Sequence, residues 1–163
     1  MSMTHYMELL ATNQPWNLLI FMVVPVLLAE TIAVSELYIL FTRNLKGTVR
    51  LINKLAGIFV GAYFLIVFFY LFFKAVIPIT LAGEWRTIID VIAVGFYLLG
   101  VVPLFGLTLL ELELIARHKS EEKKLQIHAT LVAVFLVVAH VAMIFGMMNP
   151  ELLSGTMPMH HQM

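Results

Sequence analysis

A chain of 163 residues that is 61% hydrophobic and only 12% charged is too apolar for an ordinary soluble domain, since globular chains run near half apolar and about a quarter charged. Ten Lys and Arg balance ten Asp and Glu, which leaves no basic footprint for a nucleic-acid partner. Without Cys there is no disulfide, CxxC redox pair, thiolate zinc site or cysteine-held iron–sulfur cluster.

The mean hydropathy of +0.97 describes a chain whose solvent is lipid, and the length allows one domain. Residues 1–12 set Tyr6, Met7, Leu9 and Leu10 against His5 and Glu8, an amphipathic pattern expected to lie along a membrane interface. No basic residue precedes Arg43, so a charged n-region is missing and no cleaved signal peptide is expected. Lys and Arg are absent from 1–42, 55–73, 87–116 and 125–163. Each of these stretches holds an apolar run of the roughly 20 residues that a membrane span needs.

The predicted transmembrane domain, 13–148, therefore contains four helices, at about 16–42, 50–74, 88–116 and 122–148. Asn13-Gln14-Pro15-Trp16 supplies polar capping groups, a helix-starting Pro and an interfacial Trp before the first span. Gly57 and Gly61, spaced Gly-x-x-x-Gly in the second, permit close helix approach, within the bundle or to a second copy. Pro25 and Pro103 fall inside spans, where each removes a backbone hydrogen bond. A small polar cavity is expected beside Pro25 and Glu30. Thr87 and Asp90 resemble a capping box at the start of the third span. Ser120, Glu121 and Glu122 cap the fourth, Asn149-Pro150 ends it, and 149–163 is a Met/His-rich tail.

Short connections predict an all-α, up-down antiparallel bundle. Eight basic residues (43, 46, 50, 54, 117, 119, 123 and 124) flank the first and third connections, against Lys74 and Arg86 in the second. The positive-inside rule then places both termini outside, in the periplasm of a bacterium.

Ionisable side chains inside spans are functional candidates by default. Glu30 falls near the middle of the first span, and Glu36, Glu111 and His128 come from three spans at comparable depth. Two carboxylates and an imidazole suit a divalent metal, a proton relay, or a structural polar network. Glu113 precedes Arg117 by four residues, the order expected of a helical ion pair. No Glu-x-x-His pair occurs, so the di-iron bundle signature is missing. His128 and His140 are the haem-ligand candidates, but they share one helix about 18 Å apart. A haem site would therefore need a second copy or a partner subunit.

A second set lies toward the outer side. Met3, His5 and Met7 at the N-terminus, Met157, Met159, His160, His161 and Met163 in the tail, and His140, Met143 and Met147 on one stripe of the fourth helix combine thioether and imidazole without thiolate. That donor set suits copper, with Met favouring Cu(I); Met in an apolar helix is also ordinary packing material. The spacing of Met143 and Met147 resembles the Met-x-x-x-Met of eukaryotic copper-import channels.

The opening His5-Tyr6-Met7-Glu8-Leu9-Leu10, Asn13-Gln14-Pro15-Trp16-Asn17, Glu30-Thr31 and Ser35-Glu36-Leu37-Tyr38 resemble small, uncharacterised bacterial inner-membrane proteins loosely called permeases. That resemblance implies a compartment and no activity. The expected function is handling of a transition metal, with copper first. The alternatives are a non-catalytic subunit or assembly factor of a larger membrane complex, and a haem or quinone redox subunit. An enzyme is the class with least support, because no nucleophile–base set and no phosphate-binding loop is present.

Overall fold

In the computed structural model, residues 3–149 are described, and among them the chain is helical with no strand. A short helix α1 (His5–Ala11) precedes four long ones: α2 (Trp16–Thr42), α3 (Thr48–Ala82), α4 (Ile88–Glu111) and α5 (Glu121–Met147). Each of the four is long and apolar enough to cross a membrane. Their outward faces carry Phe41, Phe59, Ile66, Val102 and Val137, all exposed, as a lipid-facing surface requires.

Side-chain register shows how the helices run. Asn53 of α3 meets Ile32 and Ser35 of α2, whereas Tyr63 meets Ile20. Gly57 faces Glu111 and Gly61 faces Leu104 and Thr108 of α4. Gly106 lies against Leu131 of α5, and Gly100 against Phe135. Sequential helices are thus antiparallel neighbours. Ala29, Ile32, Val60, Phe64, Leu104, Leu107, Val132 and Phe135 fill the centre.

Two helix ends and one cap differ from the sequence reading. α3 continues past Lys74 to Ala82 and stops at Gly83, where φ is +69°. A single Lys in an apolar run is no helix stop, because its stem lies along apolar surface while the amine reaches polar surroundings. α4 stops at Glu111, with Glu113 and Ala116 in the left-handed region at φ 58° and 56°. Glu113 therefore has no helical Arg117 one turn on, and pairs with Lys124 at 3.6 Å instead. The capping box at Thr87 is also absent. Thr87 makes no side-chain cap, and the Asp90 carboxylate, the other half of such a box, is taken up by His5.

Prolines shape α2, α3 and α4. Pro25 and Pro78 each follow a widened turn, Leu19–Val23 and Phe72–Val76, which relieves the clash of the ring with the carbonyl four residues back. For Pro25 that carbonyl belongs to Phe21, and the Tyr97 hydroxyl donates to it at 2.6 Å. Tyr63 donates to the neighbouring Ile20 carbonyl at 2.9 Å. In α4 the helix breaks at Gly100, ahead of Pro103.

The short helix α1 closes one end of the bundle, the terminal end. Thr4 caps it, accepting from the Met7 N–H, and the same hydroxyl donates to the Gly146 carbonyl at 2.6 Å. His5 donates its backbone N–H to buried Asp90 at 2.7 Å, and its ring Nδ1 contacts the other carboxylate oxygen. Arg86 pairs with Glu8, and Asn17 donates to the Leu9 carbonyl at 3.0 Å. Leu10 is buried with Phe21, Val67, Leu71 and Leu98. The opposite end carries the connections 43–47 and 112–120 and is called the basic end.

Candidate functional site

At the basic end every long helix contributes to a buried polar cluster. Glu36 comes from α2, Asn53 with Arg50 from the start of α3, Glu111 from the last turn of α4, and His128 from the second turn of α5. Glu36, Asn53, Glu111 and His128 are all 4% exposed or less. Arg50 grips Glu111 with two bonds, 2.7 and 3.0 Å, and donates to Asn53 Oδ1 at 3.0 Å. The Asn53 amide donates to Glu36 at 3.2 Å and to Ser35 at 2.9 Å. His128 sits between the carboxylates, Nδ1 2.6 Å from Glu36 and Nε2 3.2 Å from Glu111. Neither contact is aligned with a ring N–H, and both are ion pairs when the ring is protonated.

The chemistry of this cluster follows from its geometry. Two carboxylates and one guanidinium leave a single negative charge, which a proton on the imidazole between them cancels. The two ring nitrogens point to opposite sides, so no point lies within ligand distance of Glu36, His128 and Glu111 together. Among the described residues no three His, Asp or Glu side chains are placed to hold a metal ion. Both His128 ring nitrogens face carboxylates. A cavity of about 200 Å3 at the basic end, lined by Arg50, Lys54, Glu111, Glu113 and Lys124, reaches the cluster from one side. On the other side the apolar layer of Ile32, Val60, Leu104 and Leu107 separates it from the terminal end. The cluster can hold a proton locally and clasp four helices.

Glu30, expected to extend this set, stands apart. It is exposed and lines a different cavity, shared with His140. Sequence reading missed Asn53 and also Arg50. Arg50 counted there as a connection residue that sets orientation, although α3 starts at Thr48 and puts it in the first turn.

The terminal end holds the second grouping. Met3 and Met7 from the N-terminal segment, Met22 from α2, and Met143 and Met147 from α5 line one cavity of about 250 Å3. Leu10, Leu18, Ala11, Tyr6 and Gln14 complete it. Four of these thioethers were singled out from sequence; Met22 was not, since it reads as packing inside an apolar span. His5 is diverted to Asp90. The His140 ring donates Nδ1–H to the Leu136 carbonyl at 2.6 Å and lies on the neighbouring cavity. Met157, Met159, His160, His161 and Met163 lie outside the described residues.

Gly57 and Gly61, expected above to allow close approach within the bundle or to a second copy, are buried against α4 within the chain. A Cβ on Gly61 would lie 2.1 Å from Thr108 Oγ1 and 2.2 Å from the Leu104 carbonyl. That closeness spends the Gly-x-x-x-Gly face internally.

Fold and sites together define a small all-helical protein with four candidate membrane-spanning helices. The chain belongs to a family of unknown function, DUF6803, whose profile matches residues 1–163. The match carries no activity and lends no support to a permease role. No curated protein and no solved structure matches the chain.

Proposed function

We propose that this is a bacterial inner-membrane protein that captures a soft transition-metal ion, copper(I) above others, in the methionine cavity at its terminal end. One observation carries the proposal: five thioethers from three separate segments line a single cavity at the terminal end of the bundle. Thioether sulfur is a soft donor that selects Cu(I) over hard divalent ions. Apolar packing alone does not call for Met at all five positions, since Leu fills such space in a better-defined rotamer.

The basic residues at the opposite end support a periplasmic placement of this cavity and of both termini. The tail adds Met157, Met159, His160, His161 and Met163, a second set of soft and borderline donors. In this reading the polar cluster is the structural clasp that fixes α2 and α5, and so sets the spacing of Met22, Met143 and Met147.

The test is anaerobic Cu(I) titration of the full chain against a chromophoric competitor, compared with the variant Met7→Leu/Met143→Leu/Met147→Leu. Leu preserves volume and apolarity, so the fold persists while the donors go. The wild type should retain at least one tightly held Cu(I) that the variant lacks. Equal copper in both would end the proposal.

A further inference from the structure

α2 packs closely on α3, α3 on α4 and α4 on α5, but α5 meets α2 through few contacts. The fourth side of the bundle is therefore a lateral cleft. It contains a cavity of about 230 Å3 walled by Phe21, Phe64, Phe96, Tyr97 and Phe135, with Glu30 from α2 as its carboxylate and His140 from α5 as its imidazole. Both are exposed in the isolated chain.

Glu30 lies about 21 Å along its helix from Trp16 and about 18 Å from Thr42, near mid-span. Among the described residues it makes no hydrogen bond and no ion pair. A carboxylate at that depth is expensive to keep and normally marks a ligand or ion site. His140 commits Nδ1–H to the Leu136 carbonyl, which leaves Nε2 as its free atom. The cleft thus offers a carboxylate, an imidazole nitrogen and a set of aromatic faces. Aromatic faces attract cations, and a negative group in an apolar cavity gains most from a positive partner. A neutral ring ligand would leave the carboxylate uncompensated.

We propose that the α2–α5 cleft binds an organic cation with an aromatic head and an alkyl tail. Its nitrogen lies beside Glu30, its ring against the aromatic wall, and its tail passes through the lateral opening into lipid. This site adjoins the methionine cavity, sharing Tyr6, Met22 and Met143, but does not depend on it.

The probe is benzyldimethyldodecylammonium, titrated calorimetrically into the full chain in zwitterionic-lipid nanodiscs, with empty nanodiscs subtracted. N-dodecylbenzamide, with a similar ring and tail but no charge, is the comparison. Saturable binding of one cation per chain is expected, with affinity falling about tenfold or more in Glu30→Gln. Ala139→Trp, which fills the cleft and keeps the carboxylate, should also abolish it. Met7→Leu/Met147→Leu should keep it, so loss of copper with cation binding intact separates the two readings. Equal affinity for the uncharged amide, unchanged binding in Glu30→Gln, or heat that never saturates would each overturn the proposal. So would a wild-type dimer without cation affinity that Glu30→Gln dissociates, because a second copy would then be the partner of the carboxylate.

Discussion

Replacing Arg50 by Met tests whether the buried cluster holds the four helices together. The Arg50 side chain is 20% exposed and that of Glu111 only 3%. The substitution removes two bonds to Glu111 and one to Asn53. Glu111 Oε2 then has no donor, while Oε1 keeps only the off-axis His128 contact at 3.2 Å. Polar contacts between membrane helices average only about 0.6 kcal/mol, whereas stripping the partner from a buried charge costs about 3–5 kcal/mol. The second effect governs here because the Glu111 side chain is only 3% exposed. We expect a loss of about 3 kcal/mol, near the lower end of that range because the imidazole still offsets part of the charge. Arg50→Met/Glu111→Met removes both charges and leaves Glu36 with His128, so it should lose only about 1 kcal/mol. Equilibrium unfolding in mixed micelles of SDS and a zwitterionic detergent, followed by circular dichroism, measures both. A single variant within about 0.5 kcal/mol of wild type, or a double variant less stable than the single, would refute the reasoning.

Two further predictions concern helix contact and the N-terminal helix. Gly61→Ala drives a methyl into the Leu104 carbonyl and should cost about 3 kcal/mol, whereas Gly57→Ala meets its neighbours at 3.6–3.7 Å and should change stability by less than about 1 kcal/mol; the same unfolding assay reads both. Burial pushes the Tyr6 phenol up from 10.0 to about 12. A phenol that holds its proton more tightly when folded gives stability that is complete below pH 10 and lost as pH rises through 12. The tyrosinate absorbance of wild type minus Tyr6→Phe should therefore show a midpoint near 12 in the folded protein; a midpoint equal to that of the denatured chain would place Tyr6 in water.

The spans were legible because apolar runs between basic residues leave few alternatives, and the start of α5 because Ser120 is a strong cap that the structure uses. What stayed hidden was set by distant partners. Asp90 reads as half of a local capping box, but His5, 85 positions away, claims its carboxylate. Arg50 reads as a connection charge until Glu111 is brought opposite, 61 positions on. α4 ends with neither Gly nor Pro to mark it: Glu113 and Ala116 carry the left-handed turns, and neither residue type announces such a turn. The grouping of Glu36, Glu111 and His128 followed from depth counting along three helices. Glu30 was misgrouped because depth counting ignores which side of a helix faces the neighbours. The methionine cavity depends on α1 folding over the end of α5, through Thr4 and Gly146, which no periodicity contains.

The most direct test of the methionine cavity as a copper(I) site is X-ray absorption at the copper edge on full-length protein loaded with one equivalent of Cu(I). The account predicts a first shell dominated by sulfur, converted to nitrogen and oxygen neighbours or lost in Met7→Leu/Met143→Leu/Met147→Leu. A nitrogen- and oxygen-dominated shell in the wild type, unchanged in that variant, would contradict it and assign the metal to histidine and carboxylate groups elsewhere in the chain.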